Sequence, residues 1–343
     1  MPRVLAHEYR PYQSELRSAL EKLCSGADIR LEELGRLDLR VARAYVSAIA
    51  AAIQKAGRRN TDVTVVGAHG QTVHHQPVGD ERFTMQIGDP NTMAIALGIP
   101  VVADFRRRDM ALGGQGAPLA PGFHHLALRV PDQVRVVLNS GGIANVTALV
   151  PGMDTFGFDV GPANVLMDAW IQHCRGERYD KGGIWARSGV VIAPLLQEML
   201  REPYFAAKHP KSTGRELFNL PWVQRAIGRS ASAQAVAADV QRTLLELSVT
   251  SVADAVRQCS SSGSGQLLVC GGGAQNEFFM GRLAQAVVGW EVSSTDRYGI
   301  PAQAMEAMAF ATFALRTFNG LPSSEPHVTG ASRRCLLGAV YAP

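Results

Sequence analysis

The sequence predicts an α/β protein of two lobes, and three observations carry that prediction. Val- and Ile-rich runs alternate with longer segments of helical period. Each apolar run ends in a polar or glycine-rich turn, as strands of an open α/β sheet do where ligands bind. The third is length: 343 residues exceed the roughly 250–300 at which single cores stop growing, so two lobes around a cleft are expected.

Taken in order, strands are expected at VTVVGAHG (63–70), IPVVADF (99–105), VRVVLNSGG (134–142) and QLLVCGGG (266–273), short β-branched runs bounded by glycine or polar residues. Helices are expected at ELRSALEKLC (15–24), VARAYVSAIAAAIQKAG (41–57), NVLMDAWIQHC (164–174), VQRTLLELSVTSVADAVRQC (240–259) and AQAMEAMAFATFALRTF (302–318). In these, apolar residues recur every three or four positions. QCSSSGSGQ (258–266) and LPSSEPHVTG (321–330) read as short connectors.

Composition narrows the function classes. Hydrophobic residues make up 46% and charged residues 19%, and no apolar run approaches the roughly 20 residues of a membrane span. Lys plus Arg number 34 against 30 Asp plus Glu, a mild excess without a long basic run; this disfavours nucleic acid and suits a small anionic ligand. Five cysteines without a CxxC pair argue against a disulfide framework or a zinc site and for a reducing compartment. The opening MPRVLAHEYRPYQ carries no signal-peptide pattern, so the cytoplasm is the expected location.

Several stretches carry candidate chemistry. In LNSGGIANVT (138–147), Asn139 and Asn145 flank Gly141–Gly142; paired glycines make either a hairpin turn or a concavity of uncovered N–H groups for phosphate. VCGGGAQN places Gly271, Gly272, Gly273 and Asn276 at a strand end, which suggests close approach of a flat ligand or of another backbone. No G-x-G-x-x-G fingerprint occurs, and KSTG lacks the loop of a Walker A motif, so a nicotinamide-dependent dehydrogenase is disfavoured. ADFRRRD sets Arg106, Arg107 and Arg108 at a strand end, either as a solvated face or as forks for carboxylate or phosphate. His69 in AHGQTVHH reads as a supporting group. In GFDVGPANVLMDAW, Asp159 lies too far ahead of the helix near Asn164 to be its cap, and a carboxylate fixed beside a Gly-Pro turn suits a general base. Glu306, early in its helix, gains from the helix dipole or contacts a ligand.

Together HGQT, ADFRRRD with GGQGAPL, LNSGGIANVT, GFDVGPANVLMDAW, PKSTGRELFN, LLVCGGGAQN, SSTDRYGIP and the MEAMAF helix resemble the anhydro-N-acetylmuramic acid kinase family in order and approximate spacing, from about residue 9 to the C-terminus. The resemblance implies a two-lobed, actin-like (sugar kinase/heat-shock-protein) fold with a central cleft. Residues 1–133 would form a sugar-binding first lobe, and 134–343 a second lobe with the phosphate and adenosine side and the C-terminal helix at the lobe interface. It implies ATP-dependent phosphorylation of 1,6-anhydro-N-acetylmuramic acid with hydrolytic opening of the anhydro ring, giving N-acetylmuramic acid 6-phosphate in cell-wall recycling. ATP and Mg²⁺ are the implied cofactors, an amino sugar the implied partner, and a homodimer the implied assembly; no nucleic acid, membrane or protein-bound metal site is expected.

Residue by residue, the resemblance makes Asp159 the catalytic base and assigns Arg107, Glu306 and His69 to the sugar side. Asn139, Gly141, Gly142, Gly161, Gly271, Gly272, Gly273 and Asn276 fall to the nucleotide. Two departures stand out: Ala163 where the family usually has glycine, with crowding or a shifted turn expected, and Gly182 where an aspartate is common. A larger one is at the start. Family members open with a strand, a Gly-Thr-Ser-x-Asp-Gly phosphate loop and a second strand, whereas here VLAHEY (4–9) matches the third strand. The first lobe is therefore expected to lack its first two strands and to be unstable or rearranged as written, through a start codon lying upstream or through a genuine truncation. The alternative function is a non-catalytic relative that binds the sugar without phosphoryl transfer.

Overall fold

The computed structural model describes residues 3–209, 211–230, 232, 234–260 and 263–343. In chain order the elements are α1 (Ser14–Cys24), α2 (Leu31–Lys55), β1 (Val66–Gly67), β2 (Gln71–Gln76), β3 (Phe83–Ile87), α3 (Pro90–Leu97), β4 (Val101–Ala103), α4 (Arg107–Ala111), α5 (Ala120–Leu128), β5 (Arg135–Ser140), β6 (Ile143–Leu149) and β7 (Phe156–Pro162). They continue as α6 (Asn164–Arg175), α7 (Ile184–Ser188), α8 (Ala193–Leu200), α9 (Pro203–Ala206), α10 (Leu220–Arg229), α11 (Ala237–Cys259), β8 (Gly265–Cys270), α12 (Glu277–Ala286), β9 (Trp290–Ser294), α13 (Met305–Phe318), α14 (Pro326–Thr329) and β10 (Ala339–Tyr341). Among the described residues no helix is long and apolar enough to cross a membrane.

The chain divides into two compact units, residues 1–127 with 306–343, and residues 128–305. The C-terminal segment thus closes on the first unit rather than the second. The reason is pairing: β10 runs antiparallel to β4 with Val340 opposite Val102. In the first unit the sheet order is β1-β4-β10, with β1 and β4 parallel, and β2 and β3 form a separate hairpin. Val101 and Val102 are fully buried, and Phe105 packs against Phe310 and Phe313 of α13. The expected third strand at residues 4–9 is not formed. That segment is irregular, tied down by side chains instead: Lys55 Nζ donates to the His7 carbonyl at 2.8 Å, and Arg10 donates to Ser47 Oγ at 2.8 Å.

The second unit is built on a five-stranded sheet of order β7-β6-β5-β8-β9. Strands β5, β8 and β9 are parallel, while β6 and β7 are added antiparallel. Fully buried strands read as continuous apolar runs, which is why RVVL and QLLVC showed no alternation. Helix α11 packs against β6, β7, α6, α7, α8 and α12 and buries side chains around its circumference, among them Leu244, Leu245, Val252 and Val256. Each such side chain contributes about 1.5–3 kcal/mol on leaving water, and this core holds the ends of β5, β7 and β8 in place.

Candidate active site

Two glycine-rich strand ends meet in the second unit. Strands β5 and β8 lie side by side with Asn139 opposite Cys270, so the turn after Ser140 and the segment after Cys270 emerge together. They touch at backbone level. A Cβ on Gly271 would stand 2.6 Å from Asn139 Oδ1 and 2.9 Å from the Ser140 carbonyl, and one on Gly273 would stand 2.1 Å from Ser140 Oγ. Gly271 also has φ +79°, so both sterics and backbone require glycine there.

Helix α6 begins on the same turn. The N–H groups of Ala163 and Val165 donate to the Gly142 carbonyl at 2.9 and 3.0 Å, and that of Asn164 donates to the Gly141 carbonyl at 3.0 Å. The turn carbonyls therefore satisfy the first donors of α6, and no side chain caps it, Asp159 included. The N–H groups of Gly141, Gly142, Gly272 and Gly273 donate to no protein group among the described residues. Gly141, Gly142 and Gly272 are at least partly exposed and so leave three uncommitted donors at adjoining strand ends, an arrangement of the kind that can cradle an anion, while Gly273 is buried against Ser140. This favours the concavity over a plain hairpin turn at Gly141–Gly142. Asn164 Nδ2 braces it by donating to the Ser140 carbonyl at 3.1 Å, while Asn276 Oδ1 accepts from the Phe279 N–H at 3.0 Å and caps α12.

A cavity of about 630 Å³ opens beside this cradle, lined by Asn164, Asp168, Arg178, Tyr179, Asp180, Lys181, Gly182, Gly272, Gln275, Asn276 and Gln303. Its size suits a nucleotide-sized ligand. Asp168 was missed from the sequence, although its spacing of four from Asn164 puts both on one face of α6. Burial pushes the Asp168 carboxyl up to about 6, and Asp180 adds to this while Arg215 opposes it. Asp180 is committed to structure, accepting from the N–H groups of Trp185 and Ala186.

A carboxyl with its folded pKa above the unfolded value stabilises the fold fully below about pH 4, and that contribution is lost as pH rises through about 6. At pH 7 the Asp168 carboxylate is therefore a cost. Asp168→Asn is expected to stabilise the protein by about 1 kcal/mol at pH 7, once solvent screening of this part-exposed group is allowed for. The gain should vanish at pH 4. Nucleotide affinity should fall at the same time, the mark of a group kept for binding rather than stability. Thermal unfolding at both pH values and nucleotide calorimetry check this, and a variant less stable at pH 7 would contradict it.

Asp159 lies in β7 opposite Asn145 of β6. A register shift between Ala144 and Asn145 locally bends the ladder there. Its surroundings are fixed on several sides. The Asp159 N–H donates to the Lys211 carbonyl at 3.1 Å, Tyr204 Oη donates to the Asp159 carbonyl at 2.7 Å, and the Thr213 N–H donates to Asp159 Oδ2 at 3.1 Å. Burial raises the Asp159 carboxyl above its ordinary value, the Thr213 N–H opposes that, and the Glu216 charge adds to it. Gly161, at φ +148°, faces Phe205, whose ring would meet a Cβ at 2.8 Å. Gly161 is thus a backbone necessity beside Asp159. Ala163, the first family departure, has φ −108° and is 1% exposed, so its methyl joins the apolar core. Gly182, the second, has φ +66°, a conformation that aspartate tolerates less easily.

In the first unit, His69 and Arg107 line one cavity of about 190 Å³ together with Gln86, Asp89 and Asp104. Arg106 is half-buried where Arg107 is exposed: its Nε donates to His69 Nε2 at 2.9 Å, and its Nη1 donates to the Gly116 carbonyl at 2.8 Å. His69 therefore accepts at Nε2 and donates from Nδ1 to the Gly70 carbonyl at 2.8 Å, which fixes the neutral tautomer. Burial and the Arg106 charge lower its pKa to about 4. Both ring nitrogens are spoken for, so His69 supports Arg106. Arg107 is exposed, 3.6 Å from Asp104, whose φ of +59° is the one left-handed non-glycine conformation among the described residues. Buried Asp109 accepts from the Gly116 N–H and from Thr329 Oγ1, at 2.8 and 2.7 Å, and pins the GGQG loop. Glu306 lines a separate cavity of about 910 Å³ with Arg10, Tyr12, Arg40, Arg43 and Tyr45. Its charge acts on Arg106 and on Tyr45.

A family model described as "Anhydro-N-acetylmuramic acid kinase" matches residues 1–343. Among solved structures, the activator of the 2-hydroxyisocaproyl-CoA dehydratase from Clostridium difficile with bound ADPNP is 13% identical, with 78% of this chain and 79% of that chain covered and a TM-score of 0.40. A ROK family glucokinase from Streptomyces griseus, in complex with glucose and AMPPNP, is 17% identical over 80% of this chain and 89% of that one, with a TM-score of 0.35. Component A of the (R)-2-hydroxyglutaryl-CoA dehydratase from Acidaminococcus fermentans is 13% identical over 79% and 83%, with a TM-score of 0.38. All three are distant similarities.

Proposed function

The chain belongs to the anhydro-N-acetylmuramic acid kinase family, and on that premise we propose that it transfers the γ-phosphoryl group of ATP to 1,6-anhydro-N-acetylmuramic acid while water opens the anhydro ring, giving N-acetylmuramic acid 6-phosphate. The observation that carries the reading is in the second unit. The unpartnered N–H groups of Gly141, Gly142 and Gly272 lie beside the Asp168-lined cavity and would serve as an anion cradle, and the same turn anchors the helix that follows Asp159.

In this reading the cradle takes the ATP phosphates, and the cavity takes the nucleoside. Asp159 removes a proton from the water that attacks the anomeric carbon, the bond from that carbon to O6 breaks, and O6 accepts the phosphoryl group. Burial suits Asp159 to the task, because a base with its pKa raised toward the working pH accepts a proton more readily. Arg107 and Glu306 bind the sugar, and His69 holds Arg106. Mg²⁺ arriving with ATP would neutralise charge developing on the phosphates. Such an ion would be carried mainly on phosphate and water, with Asp168 as the carboxylate of the cavity nearest to hand for those waters. The same reading proposes a cytoplasmic enzyme of peptidoglycan recycling that works as a homodimer.

The test incubates the protein with the anhydro sugar, ATP and Mg²⁺ and follows N-acetylmuramic acid 6-phosphate by mass spectrometry, with calorimetry for each ligand in parallel. Product at a rate proportional to enzyme is expected. Sugar binding without ATP binding or product would select a non-catalytic sugar-binding protein instead.

A further inference from the structure

The segment around PKSTG carries no assigned role, yet it is what surrounds Asp159. Pro210 lies outside the described residues; the residues on either side of it are placed. Tyr204, Lys211 and Thr213 all contact Asp159 on β7. Tyr204 and Lys211 hold the two backbone polar groups of Asp159, and Lys211 Nζ in turn donates to the Tyr204 and Phe205 carbonyls at 3.2 and 3.3 Å, above the Tyr204 ring. Phe205 fills the space that Gly161 leaves. The side chain of Asp159 is then divided. Oδ2 accepts from the Thr213 N–H, while no described residue donates to Oδ1.

Thr213 has a second polar group with no evident use. Its hydroxyl oxygen is covered by protein and has no hydrogen-bond partner. Buried hydroxyls are seldom left so, because an orphaned one costs about 1–3 kcal/mol, and an ordered water or a ligand oxygen is the usual remedy. The residue whose N–H fixes one carboxylate oxygen of the base thus also carries an unused hydroxyl.

We propose that Thr213 anchors the attacking water: its N–H holds Oδ2 of Asp159 so that Oδ1 receives the proton, and its hydroxyl is the second hydrogen-bond partner of that water. This rests on the reaction proposed above. The water is then held between Oδ1 and Thr213 Oγ1, with its remaining lone pair free to attack carbon. The charged or titratable groups that face Asp159 are Tyr204, Glu216 and Lys211, each of which stays in place when Thr213 alone is changed.

Thr213→Val removes only the hydroxyl, keeping the N–H and the branched shape, and Thr213→Ser restores it. Thr213→Val is expected to lower kcat about ten-fold, the worth of one hydrogen bond, with KM for ATP and the acid limb of the pH profile unchanged. Thr213→Ser should recover most of the loss. The melting temperature of Thr213→Val should not rise, since a hydroxyl already satisfied by water leaves no orphan to remove. Unchanged kcat in Thr213→Val, or a melting temperature raised by several degrees, overturns the proposal. If wild-type protein makes no product, the kinase reading fails by itself, and the melting temperatures still decide whether this hydroxyl is satisfied or orphaned.

Discussion

Asp159→Asn is expected to lower turnover about 10²–10⁴-fold, the usual worth of a positioned general base, while the protein stays folded and still binds nucleotide. Asparagine is nearly isosteric. Its amide oxygen accepts from the Thr213 N–H as Oδ2 does now, and the backbone bonds to Lys211 and Tyr204 do not involve the side chain. What is lost is the capacity to take a proton. Stability should move the other way. Burial raises the Asp159 pKa, so its ionised form is a cost to the fold at neutral pH, and the neutral amide relieves it. A large kinetic loss with an unchanged or higher melting temperature separates a catalytic role from a structural one. In the wild type, kcat/KM should climb as pH rises through a pKa above the ordinary 3.8 and then level, and this limb should vanish in Asp159→Asn. Turnover within two-fold of wild type would remove Asp159 from the mechanism.

Much of this site is legible in the sequence because its signals are local. A β-branched run that stops at glycines announces a strand end, and VRVVLNSGG and QLLVCGGG do so within nine and eight residues. Asp159 could be separated from a helix cap by counting, since a cap sits immediately before the first turn. The site's other parts depend on pairings that local patterns do not encode. The three residues of β10 carry no mark that assigns them to β4, more than two hundred positions earlier, so the C-terminal segment reads as an appendage of the nearer unit. Lys211 and Thr213 border β7 without forming a strand, and nothing in KSTG shows that it will hold an acid some fifty residues before it. Three consecutive arginines look alike in sequence. Only the fold shows that Arg106 is half-buried against His69 while Arg107 is exposed beside Asp104. Asp168 lay in plain view, but the reason to notice it, a carboxyl lining a cavity, is tertiary.

Gly273→Ala should be damaging out of proportion to a single methyl. The new Cβ would stand 2.1 Å from Ser140 Oγ and 2.6 Å from Ser140 Cβ. Turning the serine side chain moves Oγ away but leaves Cβ where it is, so relief requires the backbones at the ends of β5 and β8 to part. Those strands are held by a parallel ladder through Asn139 and Cys270, inside a core with fully buried Leu138, Leu268 and Val269 on either side. Overpacking of this kind costs about 1–3 kcal/mol, and a unit of this size loses about 2–4 °C of melting temperature per kcal/mol. The functional loss should be larger than the stability loss suggests, because the strand ends that separate are the ones proposed to hold the phosphates. Nucleotide affinity is expected to fall at least about ten-fold by calorimetry. Gly281→Ala is the matched control: it lies within α12, a Cβ there meets nothing within 4 Å, and alanine should stabilise the helix by about 0.5–1 kcal/mol with nucleotide affinity unchanged. Should Gly273→Ala bind ATP as the wild type does, the two glycine-rich ends do not form one phosphate site, and the nucleotide must be held elsewhere.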